Sequence, residues 1–409
     1  MGEGSGAMKP NEVFTPRAAN VNSDMYVNRA DLESRLGRAI DGTQHLIIFG
    51  DSGSGKTWLY NQYMQRQGIS FRRVDLSVAA TDSLDHAFLE AMVKRDEWVP
   101  TNKNRSTIGG ADYVVKATRE ESTSYEPSKK SAFDELVADF SGAGTGPKFL
   151  VLDNLEQVAT NNEIIQALAS YVIRLDNPRF AELNLRFLLV GVIADMRELV
   201  ARYDQAGTVA NRLTELPEVQ KLTEQEAREL ILRGMKEKLK YRIEDEDRLV
   251  NEVVRATERN AQQVHSLCYQ IACEAELNGR SVDGGSISRG KQLWIEESLA
   301  QHMSMVENRL NRNEARWQRR NQVLYCLGQA DTAELKAGEI EESVKREFPH
   351  TIESSALRVD QVMAALAKDE NPLLIRNPLE RSYRFAHPKI KLAIGALLAK
   401  DEKGDVTRV

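Results

Sequence analysis

Along the first half of the chain, short unbroken apolar runs alternate with stretches whose apolar residues recur every three or four positions. The runs are LIIF (46–49), ISFRRV (69–74), FLVLD (149–153) and FLLVGVI (187–193). A strand that is apolar on both faces needs cover on both sides, and strands separated by helical stretches pair in parallel. Residues 12–221 therefore read as one α/β domain built on a parallel sheet. Within it, Val99–Lys130 is polar, lacks both periods and carries Gly109-Gly110. This 99–130 stretch reads as an insertion, either a solvated loop or a segment that meets a partner.

From Thr223 the pattern turns helical. TEQEARELILRGMKEKL opens with Thr223 and Glu226 at capping-box spacing, and helical periodicity continues to about Asn278. A small helical lid is predicted over 222–285. After Gly284-Gly285 a single long helix is expected from about Ser288 to Trp317, with 286–315 serving as a connector. Residues 316–400 predict helices near 316–328, 337–347 and 354–368. A hairpin of LLIR (373–376) and SYRFA (382–386) around NPLER follows, which is the order of a winged helix. Residues 401–409 read as a tail. The glycine-rich leader 1–11, beginning MGEGSGAM, reads as a disordered expression remnant outside the fold.

Composition narrows function mainly by exclusion. A chain of 409 residues, 41% hydrophobic and 28% charged, has the make-up of an ordinary soluble protein with two or three domains. The formal net charge of −6 opposes a general DNA-coating role, although 301–400 carries +3 and the remainder −9. No apolar run approaches the roughly 18 residues of a membrane helix, so a cytoplasmic protein without membrane contact is expected. Cys268, Cys273 and Cys326 lack metal-ligand spacing and read as small apolar core residues in a reducing compartment.

The chemistry begins where the first apolar run ends, in FGDSGSGKTWLY. Gly50, Asp51, Ser52, Gly53, Ser54, Gly55, Lys56 and Thr57 match G-x-x-x-x-G-K-[ST] in full, with a strand before and a helix from Trp58 after. Glycine lets the backbone turn with positive φ and brings amide N–H groups close to an anion; the helix dipole favours the same charge. Lys56 would neutralise the β- and γ-phosphates of ATP or ADP, and the Thr57 hydroxyl would ligate Mg2+. Asp153, closing the run FLVLD, supplies the second metal carboxylate. Glu156 is placed to polarise the attacking water. Asn154 stands directly after Asp153, where many motor ATPases have Glu, which points away from fast hydrolysis. Asp195 either senses the γ-phosphate or caps a helix. Arg212, in ANRLTEL, either reaches a neighbouring subunit's phosphate or is a plain surface arginine.

At these motifs the chain, from about Phe14 to Leu398, resembles the AAA+/STAND group of P-loop ATPases, near the origin-recognition and NB-ARC-like branches. YVNRADLESRL (26–36) is similar to the box that lines the adenine pocket, which implies nucleotide contacts for Tyr26, Val27 and Arg29. LTEQEARELI resembles the start of the lid helices and RNAQQVHSLCYQIACEAEL their end, with Gln262 and Gln263 where motors carry a sensor arginine. The hairpin and the following AHPKIKLAI are similar to the end of STAND winged helices. The resemblance implies that His387 contacts the ADP β-phosphate, with Pro388 replacing the usual aspartate; the alternative is a histidine that caps the last helix.

The expected function is an ATP-binding, slowly hydrolysing switch that controls self-assembly or engagement of a partner effector. By family analogy it would act in prokaryotic defence or mobile-element control. The alternative is an initiator-like DNA-binding ATPase. Its contacts would come from Arg376, Arg381 and Arg384 of the hairpin and from a stripe of Arg309, Arg312, Arg316, Arg319 and Arg320 on the connector. That stripe can equally be a solvated helix face. A nucleotide-stabilised scaffold without turnover is the third reading.

Overall fold

The computed structural model describes residues 8–16, 21–92, 131–142, 144–177, 180, 182–192, 209–311, 318–330, 332, 334–351, 357–377, 381–401 and 404–408. The chain divides into two compact units. One holds residues 31–49 and 63–218; the other holds 1–30, 50–62 and 219–409.

The first unit is built on a five-stranded parallel sheet in the order β2-β3-β4-β1-β5. Its strands are β1 (His45–Phe49), β2 (Ser70–Asp75), β3 (Lys148–Asp153), β4 (Leu185–Gly191) and β5 (Leu213–Glu215). Every residue of β3 and β4 is buried, which is why those segments read as continuous apolar runs. The four predicted strands are all present. β5 escaped prediction because LTE spans only three residues and carries a threonine and a glutamate on a sheet edge. One face is packed by Phe88, Phe133, Val172 and Phe187. Arg174 lies over the Phe133 ring and pairs both oxygens of Asp134 at 2.8 Å, so its charge is spent inside the unit. The expected 99–130 insertion and the 1–7 part of the leader lie outside the described residues.

The second unit carries two cores. In the lid, helix Glu224–Leu232 starts on the predicted capping box: Glu226 N–H donates to the Thr223 hydroxyl, and Thr223 N–H to the Glu226 carboxylate. Helices Glu246–Thr257 and Ala261–Leu277 follow. The expected single connector helix is two helices, Gly284–Ser298 and Ala300–Glu307, broken at the fully buried Leu299. The physical reason is that the pieces serve different cores: Ile287 and Trp294 pack with the lid, and Val306 packs with the C-terminal helices. The start moves back to Gly284 because the Asp283 carboxylate caps it, accepting from Ser286 N–H at 2.7 Å.

Beyond it come helices Arg319–Gln329, Ala337–Glu347 and Val359–Lys368, the antiparallel hairpin Leu374–Asn377/Ser382–Phe385, and helix Pro388–Leu397. Within 401–409, expected as a tail, Val406–Arg408 forms a strand that pairs antiparallel with Leu398–Lys400, and Gly404 before it has φ of +82°. Cys268 and Cys326 are buried as expected, whereas Cys273 is half-buried.

Helix Gly284–Ser298 lies flush on helix Ala261–Leu277 at Gly290, where an added Cβ would stand 2.7 Å from the Ile271 Cα. Alanine in a helix interior gains about 0.5–1 kcal/mol over glycine, but overpacking against backbone costs about 1–3 kcal/mol. Gly290→Ala should therefore destabilise the protein, seen as a lower urea midpoint.

Candidate functional site

The loop after β1 owes its shape to glycine. Gly50, Gly53 and Gly55 have φ of +150°, +79° and +99°, and a Cβ on Gly50 would stand 2.4 Å from the Val219 carbonyl oxygen. Helix Lys56–Arg66 begins at the last residue of the loop. Five consecutive carbonyls of this loop are each taken by a donor. Lys56 Nζ donates to the Gly50 and Asp51 oxygens, both at 2.8 Å. Asn260 Nδ2 donates to Ser52 O at 2.9 Å, and the Gln262 N–H to Gly53 O at 3.1 Å. Arg29 Nη1 donates to Ser54 O at 3.1 Å. In a trans peptide the carbonyl and the next N–H point in opposite directions. Fixing the carbonyls of Ser52 and Ser54 thus turns the amides of Gly53 and Gly55 to the other side of the ribbon. A row of backbone amides of this kind has the chemistry to cradle an anion.

Arg29 is 8% exposed, and its guanidinium also donates to the Gln220 and Lys221 carbonyls at 2.7 and 3.2 Å. Burial lowers its pKa from the ordinary value, with Glu226 and Tyr26 acting against that shift. The sequence box that contains it does fall beside the cradle, but through a backbone clamp: Val27 packs into the lid core and the Tyr26 carbonyl accepts from Arg233. Trp58 meets the His265 ring edge-on at 5.1 Å, and His265 meets Phe14 at 6.0 Å.

Asn260 was invisible as a site residue in the sequence. The available signal was its position as an N-cap just before AQQV, and that is its second job: Oδ1 accepts from Gln263 N–H at 3.2 Å. One amide side chain therefore caps the lid helix and holds the loop.

In the sheet unit, Asp153 ends β3, is 3% exposed and pairs with Arg73 Nε at 3.0 Å. Asn154 has φ of +64°, and its side-chain amide donates to Asp75 at 2.8 Å. Burial alone would raise the Asp75 pKa, but hydrogen bonds from Asn154 and Ser77 hold it below the ordinary carboxylate range. Glu156 accepts from Val192 N–H, just past the end of β4, at 3.1 Å. Arg73 was also missed; a second arginine inside an apolar strand was the signal. Arg212, ending the short helix Ala210–Arg212, is ion-paired with Asp176 of its own unit. Asp195 lies outside the described residues.

His387 caps helix Pro388–Leu397, its Nδ1 accepting from Lys389 N–H at 3.1 Å, and its ring lies 4.8 Å from that of His302. Of the arginine stripe, the described members Arg309, Arg319 and Arg320 do not share one helix. The second connector helix ends at Glu307, so Arg309 lies beyond it and pairs with Asp369 at 2.6 Å. Arg319 donates to Gln322 and Thr351. Arg312 and Arg316 lie outside the described residues.

The donors fit the expected ligands. A glycine-shaped row of amides with a buried lysine suits a phosphate chain; a threonine hydroxyl and a carboxylate are oxygen donors of the kind Mg2+ takes. Among the described residues there is no cluster of three or more His, Cys, Asp or Glu placed for a metal, and no helix is long and apolar enough to cross a membrane.

Residues 39–200 match the family model of an AAA domain. No curated protein matches the chain. Among solved structures, a Walker-type ATPase of Pyrococcus abyssi is similar at TM-score 0.56 and 14% identity, over 94% of this chain and 99% of that one. The ADP form of the ORC2 protein of Aeropyrum pernix is similar at TM-score 0.52 and 12% identity, over 94% and 98%. At these identities the likeness establishes the fold, that of a P-loop NTPase.

Burial lowers the pKa of His265 from 6.5 to about 4. Between those values the unfolded chain binds the extra proton, so the stability due to a neutral His265 is complete above pH 6.5 and is lost as pH falls toward 4. His265→Leu should reduce the fall in unfolding free energy between pH 7 and pH 5 by about 2 kcal/mol, measured by urea titration at both pH values.

Proposed function

From a chain that carries an AAA domain on a P-loop NTPase fold, we propose an ATP-binding, slowly hydrolysing nucleotide switch that controls self-assembly or partner engagement. The observation that carries this reading is that every carbonyl from Gly50 to Ser54 has a donor, and that fixing those of Ser52 and Ser54 orients the amides of Gly53 and Gly55 for a phosphate chain. Asp51, Ser52, Gly53, Ser54, Gly55 and Trp58 complete the binding loop. Lys56 neutralises the β- and γ-phosphates. Thr57 and Asp153 are the oxygen donors for Mg2+, whose chemistry is to offset charge between those phosphates. Glu156 is the residue assigned to the attacking water, Asp195 to γ-phosphate sensing and Arg212 to a neighbouring subunit. Tyr26, Val27 and Arg29 line the base side.

Slow turnover is supported by three features. Asn154, not a carboxylate, follows Asp153 and is held by Asp75. The Glu156 carboxylate is engaged by a backbone N–H. The lid helix begins Asn260-Ala261-Gln262-Gln263, without an arginine. In this reading the C-terminal helices and hairpin form a winged helix of the STAND kind, with His387 on the diphosphate side.

The exposed Arg376 and Arg381 of the hairpin favour a second reading, an initiator-like ATPase that touches duplex DNA. Each arginine on a phosphate contributes about −0.9 to the log–log salt slope, so these two contacts predict a slope of about −2. No shift of a random duplex at 50 mM salt would remove this reading.

For the switch, Lys56→Ala should weaken ADP binding roughly 10–100-fold, matching the ~1.5–3 kcal/mol of hydrogen bonds to a charged group. Calorimetry on the full chain checks it, and unchanged affinity would overturn the assignment. Turnover should lie below about 1 s⁻¹, the lower end for phosphoryl-transfer enzymes. The particle mass should grow when ADP is exchanged for ATP.

A further inference from the structure

Immediately before the Asn260 cap, the backbone does something costly. Glu258 and Arg259 are consecutive non-glycine residues in the left-handed region, with φ of +48° and +63°. A residue with a Cβ resists that conformation, and two in a row persist only where the surroundings over-determine them. Here the surroundings are specific. The Arg259 carbonyl accepts from Leu222 N–H at 3.0 Å. The Glu258 carboxylate uses both oxygens: Oε2 pairs with Lys221 at 2.6 Å and Oε1 with Lys391 at 2.7 Å.

The two lysines come from different places. Lys221 precedes the lid helices, whereas Lys391 sits on helix Pro388–Leu397, the helix capped by His387. That helix packs Ile390, Ile394 and Leu397 into the C-terminal core and Leu392 into the lid core. Lys389 of the same helix donates to Ser298 O at 3.0 Å. It is therefore anchored on both sides, and the Lys391 side chain, 12% exposed, is well shielded from screening water.

From Glu258 the path to the phosphate loop is short. Asn260, two residues on, holds Ser52 O, and Gln262 N–H holds Gly53 O. The fit is close: a Cβ on Gly53 would stand 2.6 Å from Asn260 Oδ1. Releasing the left-handed turn would rotate the first turn of the lid helix and withdraw both donors from the loop.

We propose that Glu258 and Lys391 are positioning residues for the phosphate cradle: their ion pair holds the strained turn, so the C-terminal helix sets how firmly the lid is latched on Ser52 and Gly53. Resting on the nucleotide reading above, the consequence is that this contact governs how long a nucleoside diphosphate stays bound. Lys391→Met keeps the aliphatic stem and removes the charge; Glu258→Gln removes the charge from the other side. Lys391→Arg keeps it.

The full-length protein is tested by two measurements: release of a fluorescent ADP analogue, and amide hydrogen exchange of residues 50–57 without nucleotide. Lys391→Met and Glu258→Gln should each speed release about five- to tenfold, the scale of one partly buried ion pair, and speed exchange in the loop. The thermal midpoint should stay near wild type, and Lys391→Arg should restore both readouts. Release and exchange within twofold of wild type in both charge-removing variants would overturn the proposal, as would failure of Lys391→Arg to restore them. A wild-type chain that binds no nucleotide would overturn the nucleotide reading instead, and the exchange comparison would still decide whether the turn positions the loop.

Discussion

The structure around the nucleotide cradle depends on one constraint: each carbonyl from Gly50 through Ser54 is tied to a donor, and those ties fix the shape of the loop. A peptide carbonyl cannot be left dry without cost, so each must find a donor. The donors come from segments far apart in the chain. Lys56 serves two carbonyls from within the motif, Arg29 serves one from upstream, and the lid serves two through Asn260 and Gln262. The phosphate loop is thus shared property of the N-terminal box, the motif itself and the lid.

Residues 50–62 belong to the same compact unit as Arg29, Asn260 and Gln262, which hold them. The lid grips the loop by an asparagine side chain and a main-chain N–H, contacts that depend on the shape of the loop backbone. The grip is sensitive to backbone geometry, and the left-handed turn at Glu258 and Arg259 is where that geometry is held.

Among the described residues, several arginines are paired with carboxylates that folding brings alongside. Arg73 faces Asp153, Arg212 faces Asp176, and Arg309 faces Asp369. A count of arginines at helical spacing overstates the positive surface, because spacing says nothing of the carboxylates that folding brings alongside. Arg376 and Arg381, on the hairpin, remain exposed.

The parallel sheet was legible because burial on both faces of β3 and β4 demands unbroken apolar runs, and the motif was legible because only glycine tolerates the φ values at Gly50, Gly53 and Gly55. The lid's beginning was legible because a capping box is a local interaction over four residues. The break at Leu299, the edge strand β5, the pairing of 398–400 with 406–408 and the role of Asn260 were not. Each depends on what lies opposite in space: a second core, a neighbouring strand, a row of carbonyls 208 residues away. Local chemistry, written within a few residues, thus determined the elements and the cradle; long-range partners, which no local pattern encodes, decided how the cradle is held.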